Sequence, residues 1–274
     1  MGPPRPEQSQ HPLRSKARAR RPGGGPLEPR TTSDSDAWLA DKRAGAFDAA
    51  ALIQRDEWAA IARLLEPLGG DPLAVLPRLA EYAARVLAWN RSVSNLISRA
   101  DEARLVSRHI AESLEPAAWI AGSRTGRALD FGSGAGLPAV PLAIAGVCTE
   151  WVLVESRRPK ILFLRKTLGD MGLETIDPVH GRLEDLVDTG LDDAYSHLKL
   201  FELDVFTSRA TVALEPTLQL AADIVRPGGL AYLWKGSRRQ EELAGCDCDA
   251  MGWVPAGELA LTGGDVAVMR FERK

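Results

Sequence analysis

No run of about 18 apolar residues occurs anywhere in the chain, so no membrane-spanning helix is expected. Cysteine is scarce, with only Cys148, Cys246 and Cys248 present. An odd count does not make a disulfide framework. The Cys246-x-Cys248 pair has no second pair and no nearby histidine to complete a zinc site, so no metal is expected. Free thiols in a reducing, cytoplasmic setting are the expectation. The first 30 residues contain no apolar stretch of the kind a signal peptide needs. No internal repeat is visible. There is no Ser/His/Asp set and no cysteine nucleophile, which leaves covalent acyl-transfer chemistry without its residues.

What is present is an ordinary globular composition over 274 residues, with 45% hydrophobic and 26% charged residues. The net charge of -3 conceals an asymmetry. The first 30 residues carry seven Arg or Lys against two Glu, are rich in Pro and Gly, and have neither helical nor strand periodicity. Such a stretch cannot bury enough apolar surface to offset its ordering entropy, so residues 1–45 are expected to be a disordered basic tail. It either adds sequence-independent attraction to RNA or is an idle extension. The remainder is net acidic, so any nucleic-acid surface on it must be a local patch.

Residues 46–122 carry helical patterning and are assigned to an N-terminal helical subdomain. In "DPLAVLPRLAEYAARVLAWNRSVSNLI", Leu76, Leu79, Ala83, Val86 and Trp89 recur close to a 3.6 period. Asp71 and Pro72 suit an N-cap and first position, and Pro77 predicts a kink or a later start. A shorter helical stretch is expected over "DEARLVSRHIAESLEPAAWI". Residues 123–274 change rhythm. "RALDF", "WVLVE", "ETIDPVHG", "LDVFTS", "LAYLWKG" and "DVAVMRFER" read as six strands. "LPAVPLAIAG", "RRPKILFLRKTLGDMG" and "LEPTLQLAADIV" read as helices between them. Alternation of this kind predicts an α/β fold with a mostly parallel, doubly wound sheet. Ligands then lie at the carboxyl ends of the strands, near Asp130 to Gly136, Glu155, His180 to Asp185, Ser208 to Ala210 and Lys235.

The loop after the first strand, "DFGSGAGLP", is spaced G-x-G-x-G. A dinucleotide fingerprint requires a third glycine where Leu137 stands, and a P-loop requires Gly-Lys-Ser/Thr where Leu-Pro stands. The ligand left for a strand, bare turn and helix is S-adenosylmethionine, which has no phosphate and packs against backbone freed of Cβ atoms. Gly132 and Gly134 are the expected contacts. Glu155, at the end of the second strand, suits both ribose hydroxyls of an adenosine. Asp130 suits the ligand's ammonium. In "HGRLEDL", Leu183 suits an adenine ring and Glu184 its polar edge, although acids in a helix's first turn explain the stretch equally well.

Together, "LAWNRSVSNLIS", "HIAESL", "LDFGSGAGLPAVPLAIA", "ESRRPKILFLRKTLGDMGL", "HGRLEDL", "FTSRA" and "LWKG" resemble one family, in its order from Leu87 to Gly236. This is the bacterial 16S ribosomal RNA guanine-N7 methyltransferases, also called glucose-inhibited division protein B. The resemblance implies a Rossmann-like class I methyltransferase with an antiparallel last strand and an N-terminal helical subdomain. It implies S-adenosylmethionine as cofactor and Gly132, Leu137, Leu183, Glu184 and Arg209 as its contacts. The implied substrate is one guanosine in the 530 loop of 16S rRNA, on free rRNA or a small-subunit precursor, and the implied state a monomer away from membranes. Four features depart from the pattern. The second strand ends in Glu155 rather than Asp, and the His-x-x-Asp-Ser motif reads His109-Ile-Ala-Glu112-Ser113. Asn95-Leu96-Ile97 replaces Asn-Leu-Thr, and "DTGLDDAYSHLKLFELD" is extra.

Guanine N7 carries a lone pair and no proton, so its attack on a sulfonium methyl needs alignment and dryness rather than a general base. No catalytic base is assigned. N7 faces the deep, narrow groove of A-form RNA, so the target must lie in a loop or be splayed out. Arg157, Arg158, Lys160, Arg165 and Lys166 are candidate RNA contacts or a solvated face. Arg238 and Arg239 join Arg209 and Lys235 near the ligand edge. Trp89 and Trp234 are candidates for stacking or for the core. Arg209 is placed to touch cofactor or base. His109 is read as a hydrogen-bonding link between helices and sheet, with a substrate role left open, and Lys235 as a substrate contact. The competing readings are a methyltransferase acting on a small molecule or protein, a nicotinamide dehydrogenase, and an RNA-binding module on an inactive cofactor fold.

Overall fold

The computed structural model describes residues 49–53, 56–123, 126–189, 200–209 and 212–274. The tail expected over 1–45 and residues 190–199 of the extra stretch lie outside the described residues, as does Ala210. Short helices α1 (Ala49–Ile53) and α2 (Glu57–Leu65) precede the long α3 (Pro72–Ser92). The Asp71 carboxylate accepts the Leu73 N–H at 2.9 Å, so α3 starts at this cap and not at Pro77. Pro77 sits inside the helix and forfeits one hydrogen bond. Burial of Leu76, Leu79, Tyr82, Ala83, Val86 and Leu87 along the same helix outweighs that loss, at roughly 1.5–3 kcal/mol for each large side chain.

The helical stretch expected over residues 101–120 is divided into several short elements. A 3-10 turn (Arg99–Arg104), a π-helical turn (Leu105–Ile110), α4 (Ala111–Leu114) and α5 (Ala117–Ala121) follow one another. Pro116 separates the last two. The π turn carries a tertiary contact: the guanidinium of Arg209, far along the chain, donates to the His109 carbonyl at 3.2 Å.

The sheet has seven strands: β1 (Arg127–Phe131), β2 (Glu150–Glu155), β3 (Ile176–His180), β4 (Leu203–Arg209), β5 (Val225–Lys235), β6 (Trp253–Ala260) and β7 (Ala267–Arg273). Their order is β3-β2-β1-β4-β5-β7-β6. The first five pair in parallel, and β7 runs antiparallel between β5 and β6. The connecting helices are α6 (Ala139–Ile144), α7 (Arg158–Asp170), α8 (Leu183–Thr189), α9 (Leu214–Ala222) and α10 (Arg239–Ala244). The doubly wound class I arrangement with an antiparallel last strand is therefore present. β6 is a correction, because six strands were expected. Its Pro255 and Gly257 read as turn residues, but β6 is an edge strand whose register slips between them, where both are tolerated. β5 also starts five residues earlier than expected, at a register shift opposite Leu203.

β1 and β2 are buried along almost their whole length, the pattern of strands covered on both faces. Leu129, Val152, Val179, Phe206 and Leu233 lie within one core. β1 lies between β2 and β4, so the winding direction reverses at its carboxyl end. That switch point opens the crevice in which open α/β sheets bind ligands. No helix among the described residues is long and apolar enough to cross a membrane.

Candidate active site

The turn leaving β1 runs through three left-handed glycines: Gly132 at φ 72°, Gly134 at φ 61° and Gly136 at φ 93°. Any other L-residue there would cost roughly 1–2 kcal/mol. The three serve different ends. A Cβ on Gly136 would lie 2.5 Å from Val140 Cγ2 and 3.1 Å from Leu164 Cδ2, so this glycine lets the turn pack on α6 and α7. At Gly134 the nearest atom to a Cβ is the movable Lys160 Nζ, at 3.5 Å, which leaves that face open. The turn is anchored from below. The amides of Gly132 and Ser133 donate to the Val154 carbonyl at 2.9 and 3.2 Å, and the buried Tyr82 hydroxyl donates to the Ala135 carbonyl at 2.8 Å.

Two carboxylates flank the turn. Glu155, only 5% exposed, accepts the Gly134 amide on Oε2 at 2.9 Å and the Arg157 amide on Oε1 at 2.7 Å. It braces the turn, and each oxygen keeps a second lone-pair direction for a hydroxyl. Asp130, 1% exposed, accepts the Thr207 hydroxyl on Oδ1 at 2.7 Å. Its Oδ2 is buried without a partner. Burial pushes this carboxyl up to about 7, against the pull of its Thr207 bond and of Arg209. A buried, unsatisfied acceptor of this kind demands an explanation, and a bound cation is one that satisfies it.

Arg209, at the tip of β4, turns inward. It donates to His109 Nδ1 at 2.6 Å, to the His109 carbonyl at 3.2 Å and to Glu112 Oε2 at 2.7 Å. An arginine only donates, so Nδ1 of His109 accepts and the ring proton sits on Nε2. Nε2 is buried without a hydrogen-bond partner, 3.7 Å from Asp101 Oδ2. Burial, reinforced by Arg209, lowers the His109 pKa to about 4, so the ring is neutral near pH 7. Glu112 also accepts from Arg108 at 3.2 Å, and its carbonyl accepts the Trp234 indole N–H at 2.9 Å. The π turn is thereby tied to the end of β4 through His109, and α4 to the ends of β4 and β5 through Glu112.

Leu137 is buried, and its amide donates to the Ser133 carbonyl. Leu183 is fully buried in the core at the start of α8, and Glu184 beside it is exposed. Lys235 Nζ donates to the Val212 carbonyl and to Glu242. Trp234 is 3% exposed and Trp89 7%, so both are core side chains and neither offers a face for stacking. Tyr82, Thr207 and Asp101 were not among the expected site residues. Each is an ordinary polar residue in its own segment, and only the tertiary fold brings it to the site. Thr207 alone carried a signal, lying within "FTSRA".

Residues 76–251 match the rRNA small subunit methyltransferase G family. The chain is 34% identical over 182 residues to ribosomal RNA small subunit methyltransferase G 1 of Syntrophobacter fumaroxidans, covering 64% of this chain and 78% of that protein. It is 36% identical over 172 residues to ribosomal RNA small subunit methyltransferase G of Sorangium cellulosum, covering 62% and 68%. With the protein of the same name from Xanthomonas axonopodis pv. citri, identity is 32% over 209 residues, covering 76% and 89%. The matched region contains the glycine turn, both flanking carboxylates and the Arg209 cluster. The chain belongs to the rRNA small subunit methyltransferase G family.

Proposed function

We propose that this chain methylates N7 of one guanine of 16S rRNA, in the 530 loop, using S-adenosylmethionine. The observation that carries the cofactor reading is the pairing of an open glycine face at Gly134 with the orphaned Asp130 Oδ2. An amino-acid ammonium satisfies Asp130, and the lone pairs that Glu155 keeps suit ribose hydroxyls. Neither carboxylate has to be displaced from its present partner to do this. Glu184, beside the fully buried Leu183, is exposed to reach a polar edge, and Leu137 lies in the turn itself. S-adenosylmethionine supplies a methyl group on a positively charged sulfur.

The chain's own tasks are binding, alignment and exclusion of water. Guanine N7 has no proton to lose, so no side chain has to remove one. His109 is in keeping with this: its Nδ1 is engaged by Arg209 and its ring is held neutral. Arg209 fixes the π turn against β4 and so shapes the wall of the crevice where the base must lie. A preorganised, water-excluding wall is worth more here than a titrating group.

The test is methyl transfer from labelled S-adenosylmethionine to naked 16S rRNA, to 30S subunits and to total protein. Label in the rRNA or the 30S particle supports the reading. Label in protein alone, or none in the presence of bound cofactor, contradicts it.

A further inference from the structure

Four cationic side chains gather on the outer rim of the glycine turn. Arg157 and Arg158 open α7, and Lys160 follows in its first turn with Nζ beside Gly134. Arg182 comes from a different segment. Glu155 pairs with His180 in the sheet, so Arg157 and Arg182 each lie two residues beyond a paired position at the same edge. Arg157, Arg158 and Arg182 are exposed, and Lys160 is half-buried.

Two features set this rim apart. Lys166, Arg127 and Arg239 are neutralised by Asp170, Glu150 and Glu258. The exposed Arg63, Arg99 and Arg238 have no ion pair with a described residue, so what distinguishes the rim is four such cations meeting at one sheet edge. The four on the rim have no ion pair with any described residue. In addition, cations at a helix N-terminus oppose the macrodipole, each at a cost of the order of tenths of a kcal/mol. α8 obeys the usual rule, with Glu184 and Asp185 in its first turn, whereas α7 has no acid in its first turn. No packing role explains exposed arginines in so unfavourable a place. A polyanion laid across the rim does.

We propose that Arg157, Arg158, Lys160 and Arg182 form the docking surface for the sugar–phosphate backbone of the substrate RNA. This rests on the rRNA reading above and adds to it where the strand lies, next to the donor turn. Phosphate contacts set position and not sequence, so the rim registers the target loop while the crevice selects the base. It also resolves how an acidic protein binds RNA: through a local patch of one sign.

The test compares wild type with Arg157→Glu/Arg158→Glu, and with Arg63→Glu on the exposed face of α2 as a control for altered net charge. Binding of a 16S rRNA fragment and of an unrelated single-stranded RNA is measured against salt, beside calorimetry with S-adenosylmethionine and thermal unfolding. The double variant should lose tenfold or more in affinity for both RNAs. Its salt slope should fall by between about 1 and 2, as expected for two lost phosphate contacts. Cofactor affinity should stay within twofold of wild type, and the melting temperature should rise because acids suit the start of α7. Arg63→Glu should bind RNA like wild type. An unchanged RNA affinity and slope in the double variant overturns the docking surface while leaving the proposed activity standing. A lowered melting temperature overturns the argument that these arginines oppose the fold. Wild type with no affinity for the rRNA fragment overturns both this surface and the function it rests on.

Discussion

Asp130 and His109 are two buried titratable groups with opposite pH signatures. Asp130 in the fold holds its proton up to about pH 7, while an unfolded aspartate releases it near 4. The folded state therefore binds more protons across that window, and the stability drawn from Asp130 falls as pH rises from 4 to 7. His109 stays neutral in the fold down to about pH 4, while the unfolded imidazole protonates near 6.5. Its contribution rises with pH across 4 to 6.5. The two offset one another in the wild type. Relative to wild type, Asp130→Asn should gain stability as pH is raised through its window, and His109→Gln should lose it. Melting temperatures taken from pH 4 to 7 show whether the differences slope in these opposite senses or stay flat. Bound ammonium at Asp130 would favour the carboxylate, so cofactor binding near pH 6 should release a proton. Calorimetry in buffers of different ionisation enthalpy reads that release directly.

At the level of elements, the glycine turn separates a binding role from a packing role. Gly134→Val should abolish S-adenosylmethionine binding with the fold largely kept, because the new Cβ would meet only the mobile Lys160 amine at 3.5 Å and the Gly132 carbonyl at an ordinary 3.8 Å. Gly136→Ala should cost about 2 kcal/mol or more, because its Cβ would meet Val140 and Leu164 at φ 93°. Calorimetry paired with denaturant unfolding distinguishes the two, and wild-type cofactor affinity in Gly134→Val would remove the turn from the site. β1 and the start of α7 were legible because strand burial and a Pro in the first helical turn are local signals. The start of α3 was legible only in part, since Asp71 and Pro77 are competing local signals and burial along the helix decides between them. β6 was hidden because an edge strand accepts Pro255 and Gly257. The π turn was hidden because no local residue marks it, and its contact with Arg209 comes from a hundred residues away in the chain. The carboxylates of the site could be read from strand ends, but the inward turn of Arg209 and the Tyr82 anchor could not. Arg209→Gln should free the π turn from β4, seen as faster amide exchange over Val106 to Ser113. Unchanged exchange would mean that Glu112 and Trp234 hold the turn without it.

Across the whole molecule, an acidic chain holds a switch-point crevice, a phosphate-free glycine turn and a local basic rim. A dehydrogenase would share the crevice and the acid after β2 but not this turn, with Leu137 where its third glycine belongs. Calorimetry should therefore give binding of S-adenosylmethionine and none of NAD, and NAD binding alone would reverse the assignment. The most direct measurement is mass mapping of N7-methylguanosine in 16S rRNA from cells with and without this protein. One N7-methylguanosine in the 530 loop should be present with it and absent without it. An identical modification map in the two strains would contradict the account.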